Sequence, residues 1–305
     1  MALWQEYAIE PSLFEDYQQG RYIIRGFGVG EGRLIAGFPR KWQRAIRRQM
    51  SGYTDMQRKA LTERLIALNN VIVARSHPYD GDRDWREQAF ECHKANPFHA
   101  LLLNGTYADA AAIDATMDVD NEALWEANRR ISVPRQAEDL GNTLAFLLAE
   151  CRDLIIADHV FNPGGGTNDK WLNPIWSLSC RCAQNESLRS ITVHCLDKDR
   201  DPWPEGRFVD VCGNRLPEFL PADVVLRACL WRQREGGLQF HERLIVTDIG
   251  GVVVDPGIDE GKAGETYDLR LLSDTEIGSY FERFDKTTAE YDLVDECEIV
   301  GLRNK

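Results

Sequence analysis

Residues 240–248 read FHERLIVTD, and 249–257 continue as IGGVVVDPG. Two apolar runs around a glycine pair predict a hairpin. Period-two alternation along the first run places His241, Arg243, Ile245 and Thr247 on one face. Phe240, Glu242, Leu244, Val246 and Asp248 take the other. An imidazole and a guanidinium then stand side by side at the start of a strand. A neutral imidazole can attack phosphorus while an adjacent fixed cation holds the phosphoryl oxygens, and that chemistry needs no metal. The competing reading is an ordinary strand with a charged lip, Arg243 pairing with Glu242 or Asp259.

The flanking segments set this hairpin in an alternation of strands and helices. QAEDLGNTLAFLLAECRD (136–153) predicts a helix, LIIADHVFNP (154–163) a strand running into a loop, and DKWLNPIWSLSCRCAQ (169–184) a helix interrupted near Pro174. RSITVHCLDKD, VVLRACLWRQ and YDLRLLSD predict further strands, and TEIGSYFERFDKTTAEYD an amphipathic closing helix. This order suits a mixed sheet flanked by helices. Before it, YIIRGFGVGEGRLIAGF reads as two strands around a glycine-rich turn, PRKWQRAIRRQM as a helix with proline at its first position, TDMQRKALTERLIALNN as a capped helix and VIVARS as a buried strand. DWREQAFECHKAN predicts a helix and FHALLLNG a strand. The expected organisation is an N-terminal α/β or α+β domain over 1–135, a partner or specificity module, and a second α/β domain over 136–305.

The spacing His241-x-Arg243-x4-Asp248 resembles the H-x-K-x4-D signature of the phospholipase D superfamily, with arginine for lysine. LIIADHVFNP is similar to that family's early strand, Gly257 falls where a glycine follows the signature, and YDLRLLSDTEIGSYFERFD is similar to its closing acidic strand and last helix. The likeness covers roughly 137–305. It implies a phospholipase D-like mixed sheet and a metal-independent phosphodiesterase, most plausibly a nuclease, acting through a phosphohistidine. His241 would be the nucleophile, Arg243 the phosphate clamp and Asp268 the residue that orients the imidazole, with Glu265 as second choice and Asp248 structural or supporting. It also suggests a setting in bacterial defence or mobile-element systems. The sequence departs from the pattern in three places. Arginine grips an oxyanion in a planar fork but cannot shed its proton. The usual serine and asparagine are replaced by DPGIDEG, and only one such motif is present. A single-motif member completes its site by pairing two copies, so a homodimer is expected. The alternative is an inactive scaffold or dimerisation subunit of a nucleic-acid-associated complex.

Asp248 followed by Glu260-Gly261-Lys262 offers a third reading, the D…E-x-K arrangement of Mg²⁺-dependent nucleases, although GIDEGKAGE reads as a loop. FGVGEGR lacks the helix that a dinucleotide loop opens. Eight scattered cysteines contain no C-x-x-C, and Cys180, Cys182, His194 and Cys195 have poor chelate spacing. No cofactor and no metal are expected.

The chain has 305 residues, 43% hydrophobic and 28% charged, with a net charge of −13. That balance predicts a folded, cytoplasmic protein without a membrane span and counts against a surface that grips nucleic acid throughout. Arg40, Lys41, Arg44, Arg47 and Arg48 are the exception, five cations within nine residues. They read either as a phosphate-binding face or as a solvated face toward an acidic partner.

Overall fold

The structure is a computed structural model that describes residues 2–165, 169–185, 188–198 and 200–304. It divides into two compact units, Met1–Arg129 and Arg130–Lys305. The division precedes the expected boundary at 135 because Arg130–Pro134 is a strand of the second unit's sheet.

The first unit is built on five strands, β1 (Gln5–Ile9), β2 (Arg33–Gly37), β3 (Ile72–Ala74), β4 (Ala100–Leu103) and β5 (Ala112–Asp114), in the order β3-β2-β1-β4-β5. Every pairing is parallel, which makes this unit α/β. The helices are α1 (Tyr17–Arg25), α2 (Trp42–Gln49), α3 (Asp55–Ala67) and α4 (Trp85–Ala95). A parallel sheet covered on both faces needs continuous apolar strands, and ALLL of β4 is buried throughout. Phe38, Phe90, Leu101 and Leu103 share one core cluster. Polar side chains set the helix starts: Asp16 accepts from the Gln19 N–H at 2.8 Å, Thr54 and Gln57 close a capping box, and Asp84 accepts from the Glu87 N–H.

Three sequence readings are corrected in this unit. YIIR is the end of α1, because Gly20, Ile23 and Ile24 bury one helical face. Pro39 lies before α2, whose cap is Lys41. VIVARS is a short edge strand with half-exposed residues, since only β2 pairs with it.

The second unit contains β6 (Arg130–Pro134), α5 (Ala137–Glu150), β7 (Asp153–Asp158), α6 (Leu172–Cys182), β8 (Ser190–Leu196), α7 (Arg207–Arg215) and β9 (Val225–Arg232). It continues with β10 (Arg243–Thr247), β11 (Gly251–Asp255), β12 (Thr266–Leu271), α8 (Asp274–Phe284) and β13 (Asp292–Val300). The sheet runs β13-β9-β8-β7-β10-β11-β12-β6. Strands β7, β8 and β9 are parallel, β10 to β12 form an antiparallel meander against β7, and β6 and β13 close the two edges antiparallel. This is the expected mixed sheet with flanking helices. Pro174 does not interrupt α6: it is the third helical residue, where the missing N–H had no intrahelical partner. The sequence reading passed over α7 and β13; β13 is the charged run DLVDECEIV, largely solvent-exposed. Among the described residues no helix is long and apolar enough to cross a membrane.

Candidate active site

Strand β10 begins at Arg243, three residues after the start of the expected run at Phe240, so His241 lies on the segment that leads into it. Phe240 anchors that segment: fully buried, it stacks on Tyr291 with centroids 5.1 Å apart and packs against Phe284 at 5.3 Å. His241 itself is exposed. It shares a groove of about 450 Å³ with Arg243, Asp255, Asp268, Arg130 and Arg270.

Arg243 is paired in register with Asp158, the last residue of β7. Its Nη1 lies 3.4 Å from Asp255 Oδ1, while its Nε is buried and has no hydrogen-bond partner among the described residues. The other groove cations are also loosely held, Arg130 at 3.6 Å from Asp268 and Arg270 at 3.3 Å from Glu276. A desolvated guanidinium edge with spare donors is suited to an anionic oxygen.

Beneath Arg243, Asp158 is wholly buried and accepts N–H bonds from Ile258 at 2.9 Å and Val160 at 3.0 Å. Burial raises its carboxyl from 3.8 to about 6, against the pull of those N–H groups and of Arg243. Gly257 makes this packing possible. At φ +147° it occupies backbone space that other residues rarely enter, and a Cβ there would stand 3.0 Å from Asp158 Oδ2. The folded protein therefore holds the Asp158 proton up to about pH 6, whereas the unfolded chain releases it near the ordinary value of 3.8. Stability is thus greatest below about pH 4 with respect to this group and is lost as pH rises through 6, by about 3 kcal/mol in total. Urea titrations of the wild type and Asp158→Asn at about pH 4 and pH 7 should show the variant gaining that amount relative to the wild type. A pH-independent difference would exclude it.

The structure redistributes the expected supporting roles. Asp268 lines the groove but does not hold the imidazole: it accepts from Ser132 Oγ, its register partner on β6, and pairs with Arg130. His241 Nε2 instead meets Gln239 Oε1 at 2.7 Å. Glu265 accepts from the Lys262 N–H of its own turn and from Arg135, the residue after β6. Asp248 sits beyond the far end of β10 and accepts from the Arg152 N–H at 2.7 Å and Nε at 2.9 Å. Burial alone would raise its carboxyl, but those Arg152 bonds and the Asp153 N–H hold it below the ordinary range. Its role is to tie the hairpin turn to the start of β7.

The D…E-x-K reading finds no assembled site. Asp248 is committed to Arg152, while Glu260 accepts from the Ala137 N–H at the start of α5 and from Asn173. Among the described residues no group of three His, Cys, Asp or Glu side chains could hold a metal ion. Cys182 lies against Cys151, and Cys195 donates to the Cys229 carbonyl, so neither joins His194.

One residue of the site escaped the sequence reading. His159, directly after β7, meets His241 edge to face with centroids 5.6 Å apart, and its buried Nδ1 has no partner among the described residues. Burial, then the charge of Arg243, lowers its pKa. Its only sequence signal is a histidine next to Asp158 at the end of an apolar run.

In the first unit, Arg40, Lys41, Arg44, Arg47 and Arg48 are all exposed on and before α2, and none forms an ion pair with a described residue. Four of them, Arg40, Lys41, Arg44 and Arg47, line a concavity of about 440 Å³ with Gln43 and Asn69.

No family model matches the sequence, and no curated protein is similar to it. Among solved structures the chain is similar to that of TrmBL2, an archaeal chromatin protein that shows a novel mode of DNA binding. Identity is 10% over 83% of this chain and 71% of that one, with a TM-score of 0.27. Similarity at that level does not establish a shared fold.

Proposed function

We propose that the second unit is a phospholipase D-like phosphodiesterase that cleaves nucleic acid without a metal. The observation that carries this reading is the shared groove of His241 and Arg243, in which Arg243 keeps a buried Nε without a partner. His241 attacks phosphorus and displaces the leaving oxygen as Arg243 binds the phosphoryl oxygens. A second imidazole protonates the leaving group, and water then hydrolyses the phosphohistidine. Pairing of two copies supplies that second imidazole, and light scattering should show a homodimer. The deciding experiment is EDTA-resistant cleavage of DNA, RNA or bis-(p-nitrophenyl) phosphate by the wild type and His241→Ala.

The scaffold reading is favoured by one specific observation: Asp268 is engaged by Ser132 and Arg130 and leaves His241 to Gln239. Equal background hydrolysis in the wild type and His241→Ala would select it.

In either reading the unpaired cations of α2 serve as a phosphate-backbone contact. Each neutralised phosphate releases counterions and adds about 0.7–0.9 to the slope of log affinity against log salt. Arg44→Glu with Arg47→Glu should therefore weaken binding of a labelled oligonucleotide by about tenfold or more and flatten that slope by about two, read by fluorescence anisotropy. An unchanged slope would assign the face to an acidic protein partner instead.

A further inference from the structure

From the first residue of α1 to the last of α3, residues 17–67 carry eleven arginines and lysines against three acids, Glu31, Asp55 and Glu63, in a chain whose net charge is −13. Strand order gathers these helices. The steps from β1 to β2 and from β2 to β3 run one way across the sheet, and that from β3 to β4 runs back. Right-handed crossovers then put α1, α2 and α3 on one face and α4 on the other. Aromatic side chains tie the three-helix layer together. The Trp42 indole N–H donates to the Ile9 carbonyl at 2.9 Å, the Tyr53 hydroxyl donates to the Phe14 carbonyl at 2.7 Å, and Tyr17 meets Tyr53 edge to face at 5.4 Å.

A groove of about 320 Å³ lies between α1 and α3. Arg21 and Arg25 of α1 and Arg64 of α3 line it together with Tyr17 and the buried Ile24 and Leu61, and no carboxylate does. Arg21 and Arg25 are exposed and form no ion pair with a described residue, while Arg64 makes one long bond, 3.4 Å, to the Phe27 carbonyl. The acids adjacent in sequence are engaged elsewhere: Asp16 caps α1 through the Gln19 N–H, and Glu63 stands 4.0 Å from Lys59. The charge of the groove is therefore not compensated by its own walls.

Helix α3 also reaches the concavity of α2. Gln43 of α2 donates to the Leu65 carbonyl at 3.0 Å and to Asn69 Oδ1 at 2.7 Å, and Gln43 and Asn69 both line that concavity. The two basic depressions thus flank one helix. Guanidinium forks match phosphate oxygens, and a tyrosine beside an apolar floor offers a base a surface to stack on. A duplex brings only the phosphates, because its base faces are already stacked inside; a single strand brings both.

We propose that the groove between α1 and α3 seats a nucleotide of a single strand, with phosphates on Arg21, Arg25 and Arg64 and the base against Tyr17, Ile24 and Leu61, and that the strand continues across α3 to the cations of α2. The inference rests on the phosphate-backbone contact assigned to α2 and adds a second contact and the strandedness of the polymer.

The test is fluorescence anisotropy of a labelled oligothymidylate and of a duplex of the same length, with the full chain carrying His241→Ala so that the probe stays intact. The single strand should bind more tightly than the duplex. Arg21→Gln with Arg25→Gln should weaken its binding by about tenfold or more and flatten the salt slope by about 1.4, two contacts at about 0.7 each. Tyr17→Leu keeps an apolar side chain against Tyr53 but no stacking face, and should weaken binding by about fivefold or more at unchanged slope. An unchanged slope in the Arg21, Arg25 variant beside a flattened one in Arg44→Glu with Arg47→Glu overturns the groove and leaves the α2 contact standing. No binding of either probe by the parent protein removes both. Equal affinity for the two probes with no effect of Tyr17→Leu also overturns the proposal. So does unchanged oligonucleotide binding with loss of poly-glutamate binding in the Arg21, Arg25 variant, which assigns the groove to an acidic polypeptide.

Discussion

His241→Ala is expected to lower EDTA-resistant hydrolysis of bis-(p-nitrophenyl) phosphate by about 10³-fold or more, because the attacking nitrogen is removed and nothing replaces it. The variant should fold normally. His241 is exposed and bonds only Gln239 among the described residues, and substitutions at such positions usually change stability by about 0.5 kcal/mol or less. Lost activity is therefore attributable to the site. Arg243→Lys separates charge from geometry: it keeps the cation but loses the fork, and should fall between the wild type and His241→Ala. Equal rates in the wild type and His241→Ala would leave the second unit as a scaffold. Activity that requires Mg²⁺ and disappears in Glu260→Ala would instead revive the metal-nuclease reading, against the present engagement of Glu260 at the start of α5.

The largest expected effect on stability is that of Phe240→Ala. Phe240 is fully buried between Tyr291 and Phe284 and belongs to the core cluster that includes Leu244, Val246 and Trp231. Deleting a buried phenyl ring costs about 3–5 kcal/mol through lost transfer energy and the cavity left behind. Urea unfolding should show a lower midpoint at unchanged slope, and a loss under about 1 kcal/mol would mean that the core closes over the gap. Because Phe240 immediately precedes His241, folded Phe240→Ala should also lose hydrolysis, unlike a core substitution remote from the groove.

The parts of the fold legible in sequence were those where apolar period and element coincide. FHERLIVTD and IGGVVVDPG form the hairpin β10–β11, and Thr54 and Asp84 mark real helix starts. Reading failed where short-range pattern and tertiary role diverge. YIIR has β-branched residues that suit a strand, yet Asp16 and a buried face at 20, 23 and 24 make it helical. DLVDECEIV looks like a solvated run because it is an edge strand whose side chains are largely exposed. In the candidate site, the pairing of His241 and Arg243 follows from spacing alone. The partners of Asp268 do not, because Ser132 lies 136 residues away in sequence and meets it only through the β6–β12 register. His159 and Asp158 were hidden for the same reason: their relation to Arg243 exists only once β7 and β10 are paired.

The strand β6 has a consequence for how the second unit can be handled as a separate fragment. Its backbone covers the outer side of β12 from Thr266 to Arg270. Cutting the chain after residue 135 rather than after Arg129 would strip away that cover and leave a row of open N–H and C=O groups, the template on which strands from other molecules add. It would also remove the two side-chain partners of Asp268 among the described residues, since Arg130 and Ser132 belong to the same five residues. The second unit thus begins with a protective selvedge, and a few residues decide between a capped sheet and a self-associating one.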